Sequence, residues 1–347
     1  MSIIETIKAL CTIPGVSGDE AAVRAEIIAR MEAHCDELRT DALGNVIAFK
    51  RGAKRPQEAI LLCAHMDEVG LIVTHIEDDG LLRFAPVGGI DARVLPGKRV
   101  EIGEARLPGV IGAVAHHQLT EKEREAVPGA DKLFINIGAD SKEQAGQAVS
   151  VGERAVFAAN FGELGGRCIM GRALDNRAGC ALLLELLQND LPYDCHFAFT
   201  VQEETGCTGA AVAANATRAG IAIVAETTTA ADIPGSGGAQ QICALGGGPV
   251  VSYADKRTVY DKALYDLAFE TAGRLGISCQ TKSAVVGGND AGAIQQAGTG
   301  ARVLGVSLPC RYLHSPLLVL HKDDIAATGK LLPALIEALG AESGASK

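Results

Sequence analysis

Five side chains that commonly bind divalent metals stand at the ends of apolar, strand-like runs or just beyond them. His65 closes one such run, and the adjacent pair Glu203 and Glu204 follows another. Glu226 ends a third run, and His314 lies shortly after a fourth. In an open α/β sheet the carboxyl ends of the strands converge on one crevice, where ligands bind. Because buried carboxylates and imidazoles are costly unless a cation neutralises them, the pattern predicts one metal ion or two.

Two further carboxylates extend this predicted site. Asp67 lies two residues after His65, so on an extended chain it can accept the imidazole N–H and fix its tautomer. Asp175 precedes an apolar helical segment, where it could either cap the helix or bridge two metals. Of Glu203 and Glu204, one could bind metal while the other transfers protons. Each residue alone has an ordinary alternative, such as a surface His or a solvated turn, but a shared site explains them together.

Other chemistries find less support in the sequence. The Gly-rich segment 245–249 lacks the spacing of a phosphate-binding loop, and no Gly-x-Ser-x-Gly nucleophile elbow is present. Asp290 follows two glycines and Asn289, which predicts a helix cap, with a place in a substrate pocket as the alternative.

Composition excludes several classes of partner. The formal net charge is -10 and no Lys/Arg cluster is present, so nucleic acid and anionic membranes are poor partners. No apolar run approaches the ~20 residues that a membrane-spanning helix needs. The ten cysteines form no Cys-x-x-Cys pair, and several lie in apolar runs. Together with the lack of a signal peptide, this predicts a reducing, cytoplasmic location.

The secondary-structure elements that must position these residues follow two different sequence patterns. Strand–helix alternation at both ends of the chain predicts an α/β domain, formed by residues 1–66 and 163–347. Between them, short alternating segments broken by Gly and Pro predict an inserted β-rich domain of residues 67–162, a small barrel or sandwich. A capping-box pattern at 17–20 predicts the start of a helix. The predicted helices are 17–32, 177–188, 208–218, 258–274, 290–296 and 323–339.

Four segments, in chain order, resemble the tetrahedral, glutamyl and deblocking aminopeptidases, a family of two-metal metallopeptidases. They are 64–70 (AHMDEVG), 173–177 (ALDNR), 203–206 (EETG) and 311–316 (RYLHSP). The resemblance runs through nearly the whole chain, including the β-rich segment. It implies an α/β fold of the zinc-peptidase type, with a mixed central sheet, helices on both faces and an inserted barrel-like domain. Some members of that family carry the name cellulase or endoglucanase.

The resemblance also implies a site for two divalent metal ions, zinc before cobalt or manganese. Asp175 would bridge both ions. His65 and Glu226 would complete one site, and Glu204 and His314 would complete the other.

The implied activity is hydrolysis of the amino-terminal residue from short peptides. Glu203 would be the general base and Asp67 would orient the imidazole of His65. The β-rich domain would serve self-association into dimers or tetrahedral dodecamers. Two rivals remain: a glycosidase, which needs two carboxyls about 5 to 9.5 Å apart across a sugar, and a metal-binding assembly protein that has lost catalysis.

One position departs from the family pattern. The family usually has Asp where this chain has Glu226. The extra methylene moves the carboxylate by about 1.5 Å, whereas zinc–oxygen distances are held to about 2.0–2.2 Å. The sequence therefore predicts either a retracted strand or weaker binding of that ion.

Overall fold

A mixed β-sheet and a closed β-barrel organise the chain, which the computed structural model describes over residues 1–238 and 241–342. The helices are α1 (Ile3–Thr12), α2 (Ala21–Met31), α3 (Glu121–Glu125), α4 (Lys142–Ala148), α5 (Leu174–Leu187), α6 (Thr208–Thr217), α7 (Lys262–Arg274), α8 (Asp290–Gln295) and α9 (Lys322–Glu342). The strands are β1 (Glu37–Thr40), β2 (Val46–Lys50), β3 (Ile60–His65), β4 (Gly70–Ile76), β5 (Leu82–Val87), β6 (Arg99–Ile102), β7 (Leu107–Gly112), β8 (Phe134–Asn136), β9 (Arg154–Phe157), β10 (Gly162–Leu164), β11 (Cys168–Gly171), β12 (Cys195–Thr200), β13 (Ile221–Thr229), β14 (Val250–Val251), β15 (Gln280–Thr281), β16 (Arg302–Arg311) and β17 (Leu318–His321).

The central strands of the sheet are parallel, and antiparallel strands flank them. The order is β1-β2-β12-β3-β13-β16-β17-β11-β10, in which β12, β3, β13 and β16 run in one direction. All of β3 is buried, as a continuous apolar run predicts for a strand covered on both faces. Thr200 of β12 lies opposite His65 of β3, and Glu226 of β13 lies opposite Ser307 of β16. The carboxyl ends of these strands therefore share one edge.

Helices cover both faces of the sheet, and the alternation of side chains along β3 shows how. Ile60, Leu62 and Ala64 point into a core shared with α1, α2, α5, α7 and α9. Leu61 and Cys63 point the other way, into a smaller core shared with α6 and α8. The predicted fold class, a mixed sheet with helices on both faces, is confirmed. Among the described helices we find none whose length and apolar content would let it cross a membrane.

A closed barrel is formed by the strands β4-β5-β8-β7-β6-β9, and it begins shortly after His65. The barrel closes where β9 pairs back onto β4, with Ala155 opposite Leu71. Alternate residues of these strands point inward and form a separate apolar core that includes Leu71, Phe84 and Val100. The predicted barrel-like insertion is thus confirmed as a six-stranded barrel.

Two predicted helix starts are wrong, for reasons that concern hydrogen bonding. The capping box predicted at 17–20 does not form, because α2 begins only at Ala21 and has no side-chain cap. Ser17 Oγ instead donates to Asp67 Oδ2 at 2.6 Å. The helix predicted from 258 begins later, because Asp261 caps it through the backbone N–H of Leu264 at 3.0 Å.

A buried ion cluster connects the segment just before β4 with α5 and with the loop that follows α1. Glu68 is 2% exposed and accepts hydrogen bonds from Arg172 Nη1 at 2.6 Å and from the backbone N–H of Gly15 at 3.1 Å. Arg177 Nη2 lies 3.4 Å from the same carboxylate, and Arg177 Nη1 donates to the carbonyl of Leu10 at 2.6 Å. The single carboxylate is thus the counter-charge that both guanidinium groups share.

Replacing Glu68 with Ala is expected to lower the free energy of unfolding by about 3–5 kcal/mol, because it leaves two buried guanidinium groups without a counter-charge. The urea midpoint measures this loss. A matched control is Glu26→Ala, which removes a 2.6 Å ion pair with Arg30 in which the Glu26 side chain is 34% exposed and that of Arg30 is 20% exposed. It should cost less than about 1 kcal/mol, because solvent reaches both partners. Equal shifts in the two variants would show that burial of the cluster contributes nothing.

Candidate metal centre

His65 lies at the carboxyl end of β3 and is 1% exposed. Its Nε2 is 3.3 Å from Asp175 Oδ1 and 3.4 Å from Glu226 Oε1. Its Nδ1 faces Asp67, at 3.4 Å from Oδ1 and 3.2 Å from the backbone carbonyl. The Nε2 atom of His65 therefore faces two carboxylates, while contacts of the Nδ1 atom with Asp67 fix the orientation of the ring.

His314 comes from the loop between β16 and β17 and faces the same group of carboxylates from the opposite side. Its Nε2 lies 3.2 Å from Glu204 Oε2 and 3.5 Å from Asp175 Oδ2. Each oxygen of Asp175 thus faces a different imidazole, that of His65 or that of His314. Asp175 does not cap α5, because the side chain of the next residue, Asn176, accepts from the backbone N–H of Gly179 at 3.0 Å, so the helix-cap alternative is wrong.

These separations match those between ligands that share a metal ion. Two nitrogen or oxygen ligands at about 2.0–2.1 Å on a tetrahedral ion lie about 3.3 Å apart, and the imidazole–carboxylate distances in this site run from 3.2 to 3.5 Å. Ligand atoms of His65, Asp175 and Glu204 all lie within 4.8 Å of one another. Glu226 Oε2 is buried and has no hydrogen-bond partner among the described residues. The donor set therefore fits divalent cations.

The pKa shifts of the carboxyl groups also indicate that the site binds cations. Burial raises the pKa of Glu203 and of Glu204 well above the usual range, and it raises the pKa of Glu226 to about 7. Burial also acts to raise the pKa of Asp175, but hydrogen bonds from the two imidazoles outweigh it and hold that pKa well below its ordinary value. The raised pKa values show that these carboxyl groups resist ionising together, and a cation bound among them would stabilise their ionised forms.

Asp67 organises the centre from beneath. It is fully buried and accepts hydrogen bonds from Ser17 Oγ at 2.6 Å, from Glu203 N at 3.0 Å and from Glu204 N at 3.2 Å. Burial acts to raise its pKa, but the facing His65 and these donors hold the pKa below its ordinary value. One carboxylate thus fixes both an imidazole and the backbone that carries the two glutamates.

A cleft of about 300 Å³ opens above the centre. Its floor includes His65, Asp175 and Glu203. The wall contributed by β13 presents a row of three threonines, and Lys282 lines the cleft with its Nζ donating to the carbonyl of Val286 at 3.0 Å. The cleft therefore places a cationic side chain beside the predicted metal centre.

Comparison with known proteins identifies the family. The sequence model of the M42 glutamyl aminopeptidase family matches residues 44–331. The chain belongs to the M42 family. It is 36% identical over 345 residues to the putative aminopeptidase FrvX of Escherichia coli K12, with 98% of this chain and 96% of FrvX covered. The predicted resemblance and the prediction of a metallo-aminopeptidase are thus confirmed.

Solved structures agree with the fold of this M42 aminopeptidase. It is similar to the TET aminopeptidase of the archaeon Thaumarchaeota archaeon SCGC AB-539-E09, with a TM-score of 0.94, 32% identity and 98% and 97% of the two chains covered. It is also similar to the TET1 peptidase of Pyrococcus horikoshii, which can assemble into a tetrahedron or a large octahedral shell. That match has a TM-score of 0.86, 38% identity and 96% and 99% coverage.

The structure brings the residues predicted from the sequence to one place. These are His65, Asp67, Asp175, Glu203, Glu204, Glu226 and His314. Glu226 is not the last residue of its strand, because β13 continues to Thr229. Sequence reasoning missed Ser17 and Lys282.

The sequence predicted that Asp290 caps its helix, and this prediction is wrong. Asn289 occupies the N-cap position of α8, and its side chain accepts from the backbone N–H of Ala291 at 2.9 Å. Asp290 instead turns inward and is fully buried.

Proposed function

We propose that this M42 aminopeptidase removes the amino-terminal residue from short peptides with the help of two divalent cations, zinc before cobalt or manganese. The observation that carries the proposal is the position of Asp175, whose two oxygens face two different imidazoles at 3.3 and 3.5 Å. This is the arrangement of a carboxylate that bridges two metal ions. One ion would be held by His65 and Glu226, and the other by Glu204 and His314.

Two cations held at such a centre would lower the pKa of a bound water molecule and polarise the carbonyl of the scissile peptide bond. The chain itself must then move a proton. Glu203 lines the same cleft, and among the described residues its carboxylate accepts a side-chain hydrogen bond only from Cys207 Sγ, at 3.4 Å. Because Glu203 is free of both imidazoles, it can take a proton from water and deliver it to the leaving amine.

Asp67 acts in this scheme as a positioning residue. Its carboxylate holds the Nδ1 side of His65 and the backbone N–H groups of Glu203 and Glu204. It therefore fixes the relative positions of His65, a proposed ligand of one ion, Glu204, a proposed ligand of the other ion, and Glu203, the proposed general base.

The size of the cleft supports a short substrate. Small-molecule pockets span about 300–1,000 Å³, and this cleft, at about 300 Å³, lies at the small end of that range. A pocket of this size suits a peptide end better than the middle of a long chain.

Aminoacyl-p-nitroanilides test the proposal directly. Protein treated with a chelator should be inactive, and addition of zinc, cobalt or manganese should restore release of nitroaniline. The matched control substrate carries an acetyl group on its amine and should not be cleaved. Equal cleavage of both substrates would contradict an aminopeptidase, and full activity in the chelator would contradict metal dependence.

Glu226→Asp is expected to weaken one cation site even though other members of the family usually have Asp there. In this chain Glu226 Oε1 stands 3.4 Å from His65 Nε2 and accepts from the backbone N–H of Thr227 at 2.9 Å, so the longer side chain already reaches the centre. Removing a methylene retracts the carboxylate by about 1.5 Å, and the affinity for one cation should fall roughly tenfold or more.

Calorimetric titration of metal-free protein measures this change. Glu204→Asp is the matched control, because it shortens a ligand of the other ion and should weaken that site instead. Tighter cation binding by Glu226→Asp than by the wild type would mean that β13 adjusts its position, and the prediction would be wrong.

We also propose that the chain self-associates through its barrel. The barrel segment exposes Val110, Val114 and Val127, which are 46%, 50% and 58% exposed. The relative from Pyrococcus horikoshii assembles into closed shells, and burying these side chains between copies would favour dimers or dodecamers here. Light scattering gives the mass in solution. A monomer at all concentrations would contradict the proposal.

We propose a cytoplasmic location from the state of the thiols. All ten cysteines are free, and most of them are buried. Reduced, buried thiols are typical of proteins in a reducing compartment.

The geometry of the cleft does not support the two rival functions. Among the described residues that line the cleft, none is Phe, Tyr or Trp, so the cleft offers no aromatic platform for a sugar. A protein that had lost catalysis would have no need of Glu203 and Asp67, and both are in place at the centre.

A further inference from the structure

A second group of ligating side chains lies beside the proposed general base. Glu203, Cys207 and Asp290 offer two carboxylates and a thiol, and their ligand atoms all lie within 4.8 Å of one another. Cys207 stands at the N-cap position of α6 and Asp290 opens α8. Because α6 and α8 pack on the same face of the sheet, residues distant in sequence meet behind the cleft.

The separation of the first two groups is that of two ligands on one ion. Glu203 Oε1 and Cys207 Sγ are 3.4 Å apart. With zinc–oxygen and zinc–sulfur distances of about 2.1 and 2.3 Å, a tetrahedral ion holds oxygen and sulfur ligands about 3.6 Å apart. No large rearrangement of these two side chains is needed for them to share a cation.

Asp290 supplies an independent sign of a missing partner. It is fully buried, and its Oδ2 accepts hydrogen bonds from Thr200 Oγ1 at 2.5 Å and from Cys63 Sγ at 3.6 Å. Its Oδ1 is buried without a hydrogen-bond partner among the described residues. A buried carboxylate oxygen left without a partner is costly, and a cation would remove that cost.

The local charge also matches a divalent ion. Cys207 Sγ donates to Glu203 Oε1 as a thiol, and a binding cation displaces that proton to solvent. The two carboxylates and the resulting thiolate carry three negative charges, and Arg257 Nη1, which lies 3.1 Å from Cys207 Sγ, brings one positive charge. The net charge of -2 is what one divalent cation neutralises. The thiolate ligand favours softer ions such as zinc or cadmium over magnesium or manganese.

We propose that Glu203, Cys207 and Asp290 form a third cation site for a thiophilic divalent ion, zinc or cadmium, and that its occupation withdraws Glu203 from proton transfer. Cation binding stands on the geometry of the three side chains alone. The inhibition that follows from it rests on the proposed function of Glu203 as general base. Excess zinc therefore inhibits the enzyme, whereas excess manganese does not.

Cadmium titration of the zinc-loaded protein tests binding without reference to activity. The two proposed catalytic sites contain no thiol, so an ultraviolet thiolate-to-cadmium charge-transfer band reports the third site. The wild type should show this band and bind one additional cation per subunit in equilibrium dialysis. Cys207→Ser should lose the band and bind the additional cation at least roughly tenfold more weakly.

Cys35→Ser is the matched control, because Cys35 is a half-buried thiol next to Asp36 and remote from the site, and it should behave as the wild type. Asp290→Asn is a second variant and should also weaken the additional site. Absence of the band in the wild type, or an equal band in Cys207→Ser, would overturn the proposal.

Inhibition is measured separately, as the rate on an aminoacyl-p-nitroanilide at increasing zinc. Each variant is compared with its own rate before zinc is added in excess. Cys207→Ser should tolerate at least roughly tenfold more zinc than the wild type. Equal sensitivity would overturn the inhibitory role. If the wild type hydrolyses no substrate at all, the proposed function fails, while the cadmium titration still decides whether the third site exists.

Discussion

Replacing Glu203 with Gln is expected to lower kcat by roughly 10²–10⁴-fold, the range that a positioned general base contributes. Gln has nearly the same shape but cannot accept a proton from water or return one to the leaving amine. Because neither imidazole of the centre contacts the Glu203 carboxylate, the two catalytic cations should remain bound. The measurement combines steady-state kinetics at saturating metal with elemental analysis of the same sample.

The control for this variant is Glu163→Gln, the same chemical change in an exposed side chain of β10 that pairs with Lys322 at 2.9 Å. Its kcat should match that of the wild type. A near-normal rate in Glu203→Gln would assign the proton transfer to another group. Loss of a catalytic cation together with the rate would instead make Glu203 a ligand, and the division of labour between the two adjacent glutamates would be wrong.

The ligands of the centre could be predicted because parallel strands bring their carboxyl ends together. His65 and Glu226 lie on the neighbouring strands β3 and β13, and both strands are continuous apolar runs that are easy to recognise. Once the direction of the strands is fixed, the position of these side chains at one edge of the sheet follows. The hydrophobic pattern located the strand ends, the types of the polar side chains indicated a metal, and the family resemblance implied which residues share each ion.

The residues that were missed depend on contacts that no local pattern encodes. Ser17 has the sequence of a helix cap, yet its hydroxyl donates to Asp67, 50 positions away along the chain. The hydroxyl of such a serine can cap a helix locally or bind a group that is distant in sequence, and only the tertiary structure decides which of the two occurs. Lys282 follows β15, a strand of two residues that gives no periodic signal.

Asp290 illustrates the same limit within a single dipeptide. Asn289 and Asp290 are both good capping residues, so the sequence cannot say which one takes the N-cap position. In the structure Asn289 caps α8, because the carboxylate of Asp290 finds Thr200 and Cys63 beneath the sheet edge. Both side chains are buried, with the Asn289 amide at the helix start and the Asp290 carboxylate near Glu203.

Asp175→Asn is expected to abolish binding of both catalytic cations and to reduce the rate to that of chelator-treated protein. Each oxygen of Asp175 faces a different imidazole, His65 at 3.3 Å and His314 at 3.5 Å. An amide offers one uncharged oxygen and one NH₂ group, so it can serve at most one ion, and without the negative charge. Elemental analysis and calorimetric titration of the metal-free variant measure the loss.

Comparison with single-site variants separates bridging from ordinary ligation. His65→Ala and His314→Ala each remove a ligand of one ion, so each should lose one cation while the other stays bound. Asp175→Asn should lose both, although it changes fewer atoms than either histidine variant. If it kept one cation at full occupancy, Asp175 would belong to a single ion, and the centre would be two independent sites rather than a bridged pair. Far-ultraviolet circular dichroism of the variant must match that of the wild type for this reasoning to apply.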